Sequence, residues 1–319
     1  MAKLTVGDLV KMKEGALQLE VLTPQVDLSK PIEEETISSP GLVLAGYTER
    51  FAAGRLQVLG ETEISYLGSL SADALHRALT GFLALEFPAI IVTKSLDVPP
   101  LLITLATEAG VPVLRTKLKT GAFYRRIQPY LEEYFAPTLT LHGSLADVYG
   151  VGLLFLGRSG IGKSECVLDL VERGHRLVAD DVVRITRRGN DILIGRGHEL
   201  QRHHMEIRGV GIIDIPTLFG IRAIRQQKRI EVVVQLEDWN DAAYYDRTGL
   251  ETNEMEILGV KVPRVTIPLN PGKNITVIAE VVAMNQLLKY AGVHTALIFN
   301  RHLRDAMHAA RDSLEEDYE

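Results

Sequence analysis

The sequence predicts an α/β fold in two domains, an N-terminal α/β domain over residues 1–134 and a C-terminal P-loop domain over residues 135–319. Three observations predict it. Residues 157–164 read GRSGIGKS, which fits the phosphate-binding pattern G-x-x-x-x-G-K-[ST]. The first half alternates short apolar runs with helical ones, the rhythm of strands and helices packed in layers. A helical stretch ending in Leu131-Glu132-Glu133-Tyr134 meets Phe135-Ala136-Pro137, where proline stops a helix and a linker can begin.

In chain order, Leu17 to Leu22, Gly41 to Ala45, Arg55 to Leu59, Ala89 to Thr93 and Val111 to Leu114 read as strands. Thr62 to Leu70, Ala72 to Leu85 and Pro99 to Ala109 read as helices. No glycine loop, metal-like cluster or obvious nucleophile stands out in this half, and its role is not legible. From Thr138 the chain reads as one catalytic domain. Val151 to Leu156 is an apolar run that reads as a buried parallel strand. Ser164 to Arg173 has helical spacing with Val167, Leu168, Leu170 and Val171 apolar, and Gly174 closes it. Strand, glycine loop and helix form the context a P-loop needs.

Within the loop Gly157, Gly160 and Gly162 allow tight turns, so that backbone N–H groups reach phosphate oxygens. Arg158, Ser159 and Ile161 fill its free positions. Lys163 can neutralise charge on the outer phosphates, the Ser164 hydroxyl can ligate Mg²⁺, and a helix starting here aims its positive end at the anion.

Composition bounds the rest. The 319 residues suffice for about two full cores. A hydrophobic share of 46% and a charged share of 24% are ordinary for a soluble protein. No apolar run is long enough for a bilayer and no basic-then-apolar leader opens the chain. The single cysteine, Cys166, excludes an internal disulfide and reads as packing, so the expected compartment is the cytoplasm. A net charge of −6 gives no general attraction to nucleic acid. Basic residues still cluster at Arg184, Arg187 and Arg188 and at Arg222, Arg225, Lys228 and Arg229, as a solvated surface or a docking patch for an acidic or phosphorylated partner.

Further residues can carry chemistry. Asp180 and Asp181 end the run Leu177-Val178-Ala179, where P-loop enzymes place an acid that holds Mg²⁺ or activates the acceptor. Successive strand side chains alternate faces, so one aspartate should face the phosphates and the other support the structure. Glu206 and Arg208, two apart in Met205-Glu206-Ile207-Arg208-Gly209-Val210-Gly211-Ile212-Ile213-Asp214, share a face. They read as an exposed pair, or as a Mg²⁺ ligand and a phosphoryl-charge partner. His142-Gly143 precedes the P-loop strand, and Arg247 follows Tyr244-Tyr245-Asp246 in a polar loop after Ile230 to Leu236. Pro268-Leu269-Asn270-Pro271-Gly272-Lys273 is a turn, or a mobile basic loop. His175, His198, His203 and His204 lack metal spacing.

Taken in order, these landmarks resemble bacterial HPr kinase/phosphorylase: His142-Gly143, Asp147 to Gly152, GRSGIGKSE, ERGHRLVADD, MEIRGVGIID, Asp246-Arg247 and PLNPGKN. The resemblance covers the C-terminal domain, and reaches the N-terminal half through PGLVLAGY and RLQVLGETEISYL. It implies an enzyme that uses ATP to phosphorylate a serine of the phosphocarrier protein HPr. It also implies the reverse reaction, in which inorganic phosphate removes that group and pyrophosphate leaves. A homohexamer with Mg²⁺ in the site is implied too, with no nucleic acid or membrane partner. Position by position, Lys163 and the loop would bind phosphates, Ser164 and Glu206 would hold Mg²⁺, and Asp181 would exchange the acceptor's proton. Asp180 would support it or the metal, His142 and Arg247 would contact phosphate, and the segment with Arg208 would serve both directions. Residues Pro268, Leu269, Asn270, Pro271, Gly272 and Lys273 would serve dephosphorylation. The chain departs from many members of that family at Arg158, which follows the first loop glycine where an acid often stands; its side chain is expected to point to solvent. A P-loop kinase for a small metabolite and a nucleotide sensor without turnover are the alternatives.

Overall fold

In a computed structural model, which describes residues 3–11, 15–189, 191–198, 203–240, 253–270 and 272–316, the chain divides into two compact units, Met1–Ala136 and Pro137–Glu319.

The first unit runs α1 (Val6–Lys11), β1 (Leu19–Val21), β2 (Ile37–Ser38), α2 (Gly41–Leu44), β3 (Leu56–Leu59) and α3 (Glu61–Ser69). It continues with α4 (Ala72–Leu83), β4 (Ile90–Val92), α5 (Pro100–Glu108), β5 (Val113–Thr116) and α6 (Thr120–Phe135). Its sheet is ordered β1-β5-β4-β3-β2, parallel except for β1. Alternation along the pleat sends side chains to two cores. Val58, Ile91 and Leu114 pack with Phe123, Ile127 and Leu131 of α6 on one face. Leu59, Ile90 and Val113 pack with Leu79, Phe82 and Leu102 on the other. A sheet covered on both faces needs such near-continuous apolar strands.

One expected strand is a helix. Gly41–Leu44 forms α2 after Pro40, whose φ of −86° suits a helix start. Only Leu44 of that turn is buried, while Leu42 is exposed. A five-residue apolar run carries too little periodicity to separate a strand from a helical turn.

The second unit runs β6 (Thr138–His142), β7 (Ser144–Val148), β8 (Val151–Leu156), α7 (Lys163–Glu172), β9 (Arg176–Ala179), β10 (Val182–Arg188) and β11 (Ile192–Gly197). It continues with β12 (His204–Ile207), β13 (Gly211–Asp214), α8 (Ile215–Phe219), β14 (Lys228–Arg229), β15 (Val232–Asp238), β16 (Glu254–Ile257), β17 (Val260–Leu269), α9 (Ile275–Tyr290) and α10 (Thr295–Glu316). The six-stranded sheet is ordered β16-β17-β15-β8-β7-β9. The P-loop strand β8 is parallel to β15 but antiparallel to β7, so the expected parallel setting holds on one side only. The physical reason is the hairpin before it. Tyr149 and Gly150, at φ +51° and +84°, form a two-residue turn with both central residues left-handed, which folds β7 back onto β8.

One face of β8 packs Leu153 and Phe155 against Val167 and Leu170 of α7 and Ala279 and Ala283 of α9. The other packs Leu154 and Leu156 against Val183, Ile185 and Leu193 of a second sheet, ordered β14-β11-β10-β6. The result is three layers: helices, six strands, four strands. α7 ends as expected at Gly174, with φ +94° and the bonds Gly174 N to Val171 O and His175 N to Leu170 O at 3.0 Å each.

The two sheets approach closely at Gly152, where a β-carbon would sit 1.8 Å from the Arg229 carbonyl oxygen. Gly152→Ala should therefore destabilise the chain by about 1–3 kcal/mol through overpacking. A lower urea midpoint at unchanged slope is the expected result; an unchanged midpoint contradicts this packing.

Candidate active site

The topology gathers several chain segments at one sheet edge. β8 and β15 are parallel, and β9 runs the same way because both β8 and β9 are antiparallel to β7. The P-loop, Asp180-Asp181 and Asp238 therefore follow or end strands at one carboxyl edge, where α/β sheets bind ligands. Ser144, which starts the antiparallel β7 opposite Phe155, arrives at the same edge.

The loop from Gly157 to Gly162 enters α7 through Gly162, the N-cap residue, at φ +104°. The buried Lys163 folds back across the loop, and its Nζ donates to the carbonyls of Gly157 and Arg158 at 3.1 Å each. Burial pulls the ammonium below its ordinary pKa, opposed by the charges of Asp180, Asp181 and Glu165. Ser164 Oγ donates to Asp180 Oδ1 at 3.0 Å, and Ser144 Oγ donates to the same oxygen at 2.5 Å. Burial raises the Asp180 carboxyl above its usual value, against the lowering effect of both hydroxyls.

The two aspartates part at a strained turn. Asp181 has φ +64°, and Val182 N donates to Asp180 O at 2.7 Å across it, a γ-turn of the positive-φ form. Asp180 stays under the P-loop helix while Asp181 swings outward, its Oδ1 3.0 Å from His142 Nδ1. Gly143 N donates to Asp181 O at 3.0 Å. A β-carbon on Gly143 would sit 2.6 Å from Phe155 O, so this strand start lies tight against the P-loop strand.

The hairpin β12–β13 supplies the next group. Val210 N donates to Ile207 O at 3.0 Å, and Gly209 takes φ +81° inside that turn. Arg208 lies against the P-loop: a β-carbon on Gly160 would sit 2.5 Å from its Nη2. Arg208 is thus a neighbour of the phosphate loop, the less ordinary of the two sequence readings. Glu206 is exposed on β12 and has no described contact with Ser164 or Asp180. Among the described residues no group of three or more His, Cys, Asp or Glu is disposed to hold a metal ion.

Arg158 is exposed, yet it is not simply in solvent. Its Nε and Nη2 clasp Asp238 Oδ2 and Oδ1 at 2.6 and 2.9 Å, a fork-on-fork pair from the P-loop to the end of β15. Arg247 and Pro271 lie outside the described residues. Pro268 and Leu269 end β17 in register with Glu237 and Asp238, two strands or about 10 Å across the sheet from β8. Lys273 N donates to Asn270 O, and its Nζ donates to Pro268 O at 2.8 Å, closing that loop on itself. Gly272 has φ +86°. Cys166 is buried and its thiol is pushed up to about 12, as packing requires. His175 is buried against Glu280 and the Tyr149 ring.

Sequence reasoning missed Ser144 and Asp238. Ser144 left only a weak signal, one hydroxyl at the start of an apolar run. Asp238 left a better one, an acid closing the run Val232 to Leu236, as Asp180 closes β9.

Comparison with known proteins agrees with these landmarks. The family described as HPr Serine kinase C-terminal domain matches residues 133–303, and HPr Serine kinase N terminus matches residues 4–131. The HPr kinase/phosphorylase of Chloroherpeton thalassium is 49% identical over 91% of this chain and 85% of its own length. That of Geobacillus thermodenitrificans is 45% identical over 96% and 98%. The solved HPr(Ser) kinase/phosphatase of Coxiella burnetii is 32% identical, covering 48% of this chain and 99% of its own, with a TM-score of 0.44.

The raised Asp180 carboxyl makes a pH prediction. Between the ordinary aspartate value and its raised value the folded chain holds a proton that the unfolded chain releases, so this group's contribution to stability falls as pH rises. Asp180→Asn should remove that fall. Urea unfolding from about pH 4 to neutrality should show the variant gaining on the wild type as pH rises; parallel curves contradict the assignment.

Proposed function

The chain belongs to the HPr kinase/phosphorylase family, and from that premise we propose that its P-loop edge transfers a phosphoryl group from ATP to a serine of HPr and, in the opposite direction, from that serine to inorganic phosphate. The supporting observation is the split pair: Asp180 bonded to the P-loop serine, Asp181 turned away beside His142. Phosphoryl transfer needs positioning and charge stabilisation more than covalent chemistry. Lys163 and the loop N–H groups hold the outer phosphates, and Arg208 beside Gly160 adds positive charge there.

In the forward direction the serine Oγ attacks the γ-phosphorus, the bond to ADP breaks, and Asp181 takes the hydroxyl proton. His142 holds the Asp181 carboxylate in place through Nδ1. In reverse, an oxygen of inorganic phosphate attacks the phosphoserine phosphorus. The serine oxygen leaves with the proton from Asp181, and pyrophosphate is the product. One proton carrier thus serves two acceptors.

Ser164 Oγ and the Asp180 carboxylate are adjacent hard oxygen donors, the kind of set Mg²⁺ takes with few protein ligands and substrate phosphates. Bound Mg²⁺ would neutralise phosphate charge; Glu206 is a further candidate ligand on the neighbouring hairpin. Arg247 is assigned to phosphate contact and residues 268–273 to the dephosphorylation direction, both through the family pattern. A homohexamer in the cytoplasm is the expected assembly. Exposed apolar side chains on α9 and α10, among them Val281, Leu288, Phe299 and Leu303, support self-association. No helix among the described residues is long and apolar enough to cross a membrane.

Purified chain with ATP, Mg²⁺ and HPr should yield phosphoserine-HPr, and added phosphate should return HPr with pyrophosphate. Failure to phosphorylate HPr, with turnover of a free metabolite instead, would sink this reading. Asp181→Asn should slow transfer both ways by about 10²–10⁴ while ATP affinity holds. Full activity in that variant contradicts the proton role.

A further inference from the structure

Most cations in the basic stretches of this chain have partners. Arg187 pairs with Asp191, Arg225 with Asp147 and Lys228 with Glu231. Arg184 does not. It stands on β10 directly opposite Arg196 of β11, with Thr140 of β6 on its other side. Both arginines are half-buried, and neither has an ion pair or hydrogen bond among the described residues. Like charges directly opposite on a sheet repel, and partial burial weakens the solvent screening between them. The pair therefore stabilises nothing in the folded chain, whereas an anion between the two guanidinium forks would satisfy both.

Its place says which anion. Val183, Ile185 and Leu193 point from this sheet into the core. By alternation Arg184, Arg196, Val182, Thr140 and His142 share the opposite face. His142 is paired with Val182 in register, so the arginines begin two residues, about 7 Å, beyond it along the strand. In-line transfer puts the attacking and leaving oxygens on opposite sides of the phosphorus. The acceptor therefore reaches Asp181 from the side away from the P-loop, and His142, which pairs with Asp181, begins this face. A group held there is too far from Asp181 to be the reacting serine, and fits the footprint of a protein that carries it.

We propose that Arg184 and Arg196 form a docking site for carboxylate side chains that flank the acceptor serine on the protein substrate. This rests on the kinase reading above.

The test is steady-state kinetics of the full chain with MgATP and HPr across a salt series. Arg184→Glu/Arg196→Glu should raise KM for HPr about tenfold or more and flatten its salt dependence, while kcat and KM for ATP stay within about twofold. Arg184→Ala/Arg196→Ala should do the same more weakly, with an unfolding midpoint no lower than that of the wild type, because it relieves repulsion. Unchanged KM for HPr and unchanged salt dependence in both variants overturn the site. So does a rise in KM for inorganic phosphate in the reverse reaction at constant KM for phosphorylated HPr, which marks a free-anion site. A wild-type chain that transfers nothing to HPr overturns the kinase reading, and the docking site with it.

Discussion

The site depends on the backbone turn that separates Asp180 from Asp181. Neighbouring residues in an extended strand face opposite sides, but both still point across the sheet. At the end of β9 the positive φ of Asp181 and the short bond from Val182 N to Asp180 O break the strand instead. One carboxylate is left under α7 and the other is carried out to His142. Such a turn is costly for a residue with a side chain, and it persists where surrounding contacts over-determine it. Here those contacts are Gly143 N on Asp181 O and two hydroxyls on Asp180 Oδ1.

The mixed sheet makes those contacts possible. An all-parallel sheet would put only strand ends at the carboxyl edge. Reversing β7 by a tight hairpin brings a strand start, Ser144 with His142 and Gly143 just before it, to the same edge as the P-loop. Gly143 against Phe155 O and Gly152 against Arg229 O are two of the places where the chain closes too tightly for a β-carbon. The placement of Asp181 beside His142 therefore traces to the packing of this hairpin and its glycines.

Local chemistry made much of this legible. A P-loop declares itself because its glycines, lysine and serine act within eight residues, and an acidic pair closing an apolar run declares a strand end. The first unit, a sheet covered on both faces, was legible from apolar strands alternating with helical spacing, and the chain's resemblance to its family agreed with it. What failed was either too short or non-local. Gly41–Leu44 holds one helical turn, below what periodicity resolves. The neighbours of β8 depend on pairing partners that lie far off in sequence. For Arg208 the sequence left two readings open, an exposed partner of Glu206 or a phosphoryl-charge partner, and only the folded hairpin sets it against Gly160. Arg158 reads as solvent-facing until Asp238, eighty residues away, is placed beside it. Ser144 is invisible for the same reason: its importance lies in the carboxylate it meets.

The central claim, that Asp180 is a fixed anchor whose orientation sets up transfer at its neighbour, is tested most directly at Ser144, which bonds that anchor. Single-turnover transfer from MgATP to HPr by Ser144→Ala should slow about tenfold or more, the usual cost of losing a supporting hydrogen bond, while nucleotide affinity stays near that of the wild type. Transfer at the wild-type rate would contradict the claim.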